Sequence, residues 1–176
     1  MDLKSELCTA AQEIQNVPFA WPADPTAEYV RRHRRGTCAG KHALLREWLE
    51  WIGFMVSRLM VIGPLAPTIW PDLEAESEGI LEVHECLTVE TEWAGPLTVD
   101  VTWHSAAIRA GLPGTLDWDA TSDMVCAVEP LRSYAVSDSR FRDQKERLRS
   151  RIYSAEDRDV RDRVLSQIAT RASRLV

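Results

Sequence analysis

The sequence predicts an α+β fold, and three observations carry that reading. Apolar residues recur at helical spacing over the first half-turns of the chain and again in its charged last third. Two Val- and Ile-rich runs, near residues 54–62 and 80–91, have strand character. Between Thr91 and Leu97 stands Trp93-Ala94-Gly95-Pro96, a turn signal that joins the second run to a return strand. The 176 residues fit one domain, residues 1–176, long enough to bury a core without disulfides or metals.

The elements follow in order. Residues 2–15 form a short helix, with Leu3, Leu7, Ala11 and Ile14 on one face. A proline-punctuated apolar loop runs from Val17 to Pro25. Thr26 caps a second helix that reaches Arg34 and is ended by Gly36. A third helix, about Ala39 to Ile52, is apolar nearly all round and therefore belongs in the core, and Gly53 closes it. Phe54–Ile62 is a buried strand, and a loop with three prolines spans Gly63–Glu78. Ile80–Thr91 alternates, with Val83, Leu87 and Val89 opposite His84, Cys86 and Thr88. Leu97–Trp103 is the return strand and Met124–Val128 a further one. From Asp138 the chain is helical, with Phe141, Leu148 and Ile152 on one piece and Val160, Val164, Ile168 and Ala172 on the next. Residues 1–35 are thus an N-terminal helical segment, 36–130 a core and 137–176 C-terminal helices.

Composition excludes several functions. With 45% hydrophobic and 27% charged residues the chain is of the soluble globular kind. A net charge of −6 gives nucleic-acid binding no electrostatic support. The start, Met1-Asp2-Leu3-Lys4-Ser5-Glu6, lacks a signal-peptide core, and no apolar run approaches the roughly 18–20 residues of a membrane span. We therefore expect a cytoplasmic protein, with no nucleic acid and no membrane among its partners. Oligomeric state leaves no signal. The four cysteines, Cys8, Cys38, Cys86 and Cys126, form no CxxC pair.

The chemistry centres on Gly36-Thr37-Cys38. Thr37 reads as a helix N-cap, which puts Cys38 at the first helical position, where the helix end stabilises a thiolate. A cysteine nucleophile needs a base and a group that orients the base. His84 and Asp100 are the residues of the right type. The backbone N–H of Cys38 is free to donate to an oxyanion, with Gln15, Asn16 and the Trp21 indole as candidate second donors.

The Gly-x-Cys at the start of a buried helix, His84 on a strand and Asp100-Val101-Thr102-Trp103 sixteen residues later resemble the transglutaminase-like superfamily of papain-type cysteine enzymes. The resemblance spans residues 35–104. It implies a papain/transglutaminase-like core, with a central helix bearing the cysteine packed on a small antiparallel sheet that carries His84 and Asp100. It also implies acyl transfer through a Cys-His-Asp triad, in a superfamily that includes peptidases, amidases and cross-linking enzymes. Two positions depart from the usual pattern: Val101 stands where proline is common, and Glu85-Cys86 replaces small and aromatic residues.

The expected activity is acyl transfer from a peptide or another amide or ester, to water rather than to an amine because nothing marks an amine acceptor site, with no cofactor and no metal. Two alternatives stay open. One is a binding or scaffold protein that keeps the fold with an inert thiol. The other is a Cys₂His₂ zinc site from Cys38, His42, His84 and Cys86. His42 reads as a structural histidine or an aid to Cys38. Arg31-Arg32-His33-Arg34-Arg35 reads as a solvated helix end or as an anion site beside Cys38. The tryptophans read as core, and Trp21 and Trp103, next to the candidate site segments, read either as core or as the lining of a groove. Arg147, Arg149, Arg151, Arg158, Arg161 and Arg163 read as a solvated face or a partner surface.

Register raises one difficulty. A hairpin centred on Ala94-Gly95 sets Asp100 opposite Val89, five residues from His84, or on the order of 16 Å away. Direct pairing needs a turn centred near Glu92, or a bulge.

Overall fold

The computed structural model describes residues 2–65, 69–136 and 138–175. Part of the predicted 63–78 loop, residues 66–68, lies outside them, as do the two chain ends, 1 and 176. The architecture is mixed α+β: seven helices among the described residues surround a four-stranded antiparallel sheet of order β3-β2-β1-β4. Helix α1 (Leu3–Gln15) buries Leu7, Ala10, Ala11 and Ile14, a single stripe at i, i+3, i+4 and i+7. Helix α2 (Ala27–His33) starts under Thr26, whose hydroxyl accepts from the Tyr29 N–H. It ends at Arg34, which takes the left-handed conformation (φ 52°), and not at Gly36 as predicted. Gly36 instead bridges Phe19, and a Cβ there would meet the Val30 side chain at 2.5 Å.

Helix α3 (Cys38–Trp51) is capped by Thr37, which accepts from the Gly40 N–H at 3.1 Å. Sequence reading made this helix apolar all round. It buries one face only, through Leu45 and Leu49, and Trp51 is 83% exposed. That face and α1 close over Leu87, Val89, Leu97 and Val99 in one core cluster.

Strand β1 (Val56–Pro64) pairs with β2 (Leu81–Thr91), and β2 with β3 (Gly95–Val99). Because β2 is a central strand, residues 82–87 are buried without a break, and alternation does not describe them. Strand β3 ends at Val99. The predicted continuation to Trp103 fails because Asp100 turns its carboxylate onto the backbone and hydroxyl of Thr102. Residues 124–128 are not a strand: the Met124 N–H bonds the Thr98 carbonyl and the Ala127 N–H bonds the Asp100 side chain. The fourth strand is β4 (Arg132–Val136), an exposed edge strand on β1 that the sequence did not reveal.

Short helices α4 (Pro71–Glu76) and α5 (Ser105–Arg109) occupy connections. Helix α6 (Asp138–Ile152) lays Phe141 against Met60 and Val83 of the sheet. Helix α7 (Ala155–Ala172), opened by a capping box at Ser154 and Asp157, packs Val164, Leu165 and Ile168 against Phe19, Leu73 and Trp103. Fully burying each of those three aliphatics contributes about 1.5–3 kcal/mol. The C-terminal helices are therefore fixed to the body and one wall of a cavity.

Candidate active site

Cys38, His84 and Asp100 come together, each from a different element. Thr37 caps α3 and so holds Cys38 at the positive helix end. His84 sits mid-β2, and Asp100 is the first residue past β3. The register resolves the distance problem. Thr91 pairs with Gly95 and Leu87 with Val99, so the hairpin is centred on Trp93, and Gly95 takes φ 74° to close it. Extending that register sets Asp100 against Cys86, one diagonal step from His84. Diagonal neighbours lie within reach of long side chains, and His84 Nε2 meets Asp100 Oδ2 at 2.7 Å.

Asp100 is saturated. Oδ2 also accepts from the Ala127 N–H at 2.8 Å, and Oδ1 accepts from the Thr102 N–H (3.0 Å) and Oγ1 (2.6 Å). Burial works against the carboxylate, but the His84 charge and these hydrogen bonds hold it well below the usual range. A fixed anion at Nε2 leaves Nδ1 of His84 for Cys38. Burial disfavours the imidazolium, yet Asp100 first and then Cys38 hold its pKa well above the ordinary value. At Cys38 burial pushes the thiol up. The His84 hydrogen bond and charge, with Lys145, outweigh it and leave the pKa below that of an ordinary thiol. The three groups thus favour a thiolate–imidazolium pair over a carboxylate.

Two supporting residues escaped the sequence reading. Lys41 is fully buried, and its Nζ donates to the carbonyls of Gln15 (3.0 Å) and Thr102 (2.9 Å). It ties α3 to α1 and to the segment that carries Asp100. Its signal was a charge four residues before Leu45, on the buried stripe. Burial lowers its pKa to about 7. The folded state therefore sheds this proton before the unfolded state, whose lysine titrates near about 10.4. The penalty is complete below pH 7 and fades as pH rises. Relative to Lys41→Met, the wild type should gain about 1.4 kcal/mol per pH unit between pH 7 and 10. Urea unfolding of both proteins at the two ends of that window reads the difference, and a flat difference refutes the buried charge.

The second is Arg161, expected on a solvated face. It is 6% exposed and forks onto buried Glu82, with Nη2 to Oε1 at 2.8 Å, while stacking over Trp21 at 4.9 Å. Glu82 lies two residues before His84 on β2. The missed signal was position: Arg161 precedes Val164 by three and Ile168 by seven, on the apolar stripe of α7.

Other sequence candidates fall elsewhere. His42 is a structural group: buried, its Nε2 accepts from the Val101 N–H at 3.1 Å and lies 3.4 Å from Asp100 Oδ1. Cys86 is buried in an apolar cluster with Val61, Val128 and Cys126. With His42 and Cys86 so engaged, the four zinc candidates do not converge, and the described residues hold no group of three or more metal-ligating side chains. Gln15 Nε2 donates to the Thr115 carbonyl and Asn16 Oδ1 accepts from Ser105, and neither residue lines the cavity that holds Cys38 and His84. The basic run is not an anion site beside Cys38: Arg31 pairs with Glu47 and Glu28, and residues 31–35 do not line the cavity.

That cavity, of about 470 Å³, opens onto Cys38 and His84. It is of the size that accepts a small molecule or a few residues of peptide. Phe19, Trp21, Trp103 and Leu165 form an apolar side, so both predicted groove tryptophans line it.

No family model matches this chain, and no curated protein matches it. A solved structure of M. smegmatis arylamine N-acetyl transferase is similar to it at 24% identity, over 57% of this chain and 39% of that one, with a TM-score of 0.35. The chain thus spans well under half the length of that protein. No helix among the described residues is long and apolar enough to cross a membrane.

Proposed function

We propose that this chain is a cysteine-nucleophile acyl-transfer enzyme of papain/transglutaminase-like design that hydrolyses an amide, peptide or ester through Cys38, His84 and Asp100. The observation that supports this most is the pairing of His84 with a saturated Asp100 on one side and Cys38 on the other. In the first half-reaction the Cys38 thiolate attacks the carbonyl carbon and a C–S bond forms. The backbone N–H of Cys38 donates to the oxyanion. The tetrahedral adduct collapses, the C–N or C–O bond breaks, and the imidazolium of His84 gives its proton to the leaving group. In the second half-reaction His84, now neutral, takes a proton from water as the water attacks the thioester. The acid product leaves, and the thiolate and imidazolium are restored. Asp100 keeps the ring oriented throughout. Four free thiols fit a reducing, cytoplasmic setting.

Turnover of p-nitrophenyl acetate tests the reading. Cys38→Ser should reduce it to the uncatalysed rate while leaving the melting temperature close to wild type. Turnover that survives the substitution overturns the proposal.

The alternative of an inert fold is disfavoured by one feature. An inert thiol in this cavity would be held up by burial alone, whereas Cys38 faces a charged histidine.

A further inference from the structure

The side of the cavity opposite its apolar wall is charged. Arg58, Lys145, Arg149 and Arg161 line it beside two carboxylates, Glu82 and Glu85. All six side chains are at least three-quarters buried. At the mouth, exposed Arg142 and Glu146 cancel.

The carboxylates are already used. Glu82 takes the Arg161 fork, and Glu85 takes Lys145 at 3.1 Å with Arg58 at 3.5 Å. Arg149 is left over. It reaches Glu82 only at 3.6 Å, and its Nε is buried with no hydrogen-bond partner among the described residues. Lys145 spends one of its three N–H groups on Glu85. Buried cations without a full set of partners are costly. A planar guanidinium in that state matches a carboxylate or phosphate bidentately.

We propose that this half of the cavity is an anion subsite: the substrate carries a carboxylate or phosphate that Arg149 grips and Lys145 supports, and an apolar body that lies on Trp21 and Trp103. This rests on the acyl-transfer reading in assigning the ligand as substrate. The attraction is local, because a chain of net charge −6 repels anions at long range.

Isothermal titration calorimetry with hydrocinnamate, phenyl phosphate and neutral hydrocinnamide tests it, the amide titration being repeated in Cys38→Ser so that no heat of hydrolysis enters. At least one anion should bind at least about tenfold more tightly than the amide, the return for one charge-assisted fork. Which anion wins separates carboxylate from phosphate. Arg149→Gln should erase the preference. The bound anion should also slow labelling of Cys38 by iodoacetamide, which places it in this cavity. Equal affinities for anion and amide overturn the subsite, and so does a preference that survives Arg149→Gln. If that variant does not fold, the wild-type contrast and the Cys38 protection still decide. A Cys38 that does not label in the free protein counts against the thiolate, not against the subsite, which calorimetry reads by itself.

Discussion

Replacing His84 by alanine should raise the apparent pKa of the Cys38 thiol above that of an ordinary cysteine and slow its alkylation at pH 7 severalfold. The reason lies in the balance at the sulfur. Burial alone pushes the thiol up, and the two largest opposing causes both come from His84, its hydrogen bond and its charge. With the imidazole gone, Lys145 and Glu82 act in opposite directions and burial prevails. The upward move removes thiolate at pH 7. Intrinsic nucleophilicity recovers only part of that loss, so the net effect on the rate is still a decrease. The sign of the pH profile is fixed too. Wild-type labelling by iodoacetamide should rise with pH and level off below the ordinary thiol pKa, while the variant should still be rising there. Superimposable profiles contradict the ion pair.

Arg161→Met should cost about 3–5 kcal/mol, because it strands Glu82. Glu82 is 7% exposed at its side chain, and burial opposes its charge; the Arg161 charge and fork are what hold its carboxyl below the usual range. Arg149, at 3.6 Å, and the more distant charge of Lys145 would remain to offset it in part. The loss also removes the guanidinium from the face of Trp21 and from Tyr153, contacts of about 0.5–2 kcal/mol at most. The double variant Glu82→Leu with Arg161→Met should recover most of the stability, since a buried pair replaced by apolar groups of similar volume is often neutral or better. Urea midpoints at constant m read both steps. A loss under about 1 kcal/mol for Arg161→Met would mean that the pair does not fix α7 to the sheet.

The residue types of the site were legible for local reasons: Thr37 before Cys38 is a cap, and His84 stands in a strand run followed by a turn and Asp100. Their contact was not, because a turn at Ala94-Gly95 keeps His84 and Asp100 apart, whereas the register centred on Trp93 joins them. The α+β class was legible from periodicity and from the turn at Trp93. What was not legible depended on distant partners. Strand β3 stops at Val99 because Asp100 finds Thr102 and the Ala127 N–H, and no pattern around Leu97–Trp103 carries that information. Residues 124–128 looked like a strand because Met124, Val125 and Val128 are apolar, but the N–H groups of Met124, Val125 and Ala127 go to Thr98, Thr115 and Asp100 rather than to a ladder. Strand β4 contains Arg132, Ser133 and Tyr134 with no buried face, so its pairing with β1 leaves little trace in composition. The charged C-terminal third read as solvated for the opposite reason: Lys145 and Arg161 are buried, and their counter-charges, Glu85 and Glu82, lie some sixty to eighty residues away.

The central claim is that Cys38 carries the acyl group, and intact-protein mass spectrometry after brief mixing with p-nitrophenyl acetate tests it most directly. The account predicts a mass gain of one acetyl group, located on the peptide that contains Cys38, decaying as the thioester is hydrolysed and absent in Cys38→Ser. An unmodified Cys38, or an adduct that persists in Cys38→Ser, would contradict it.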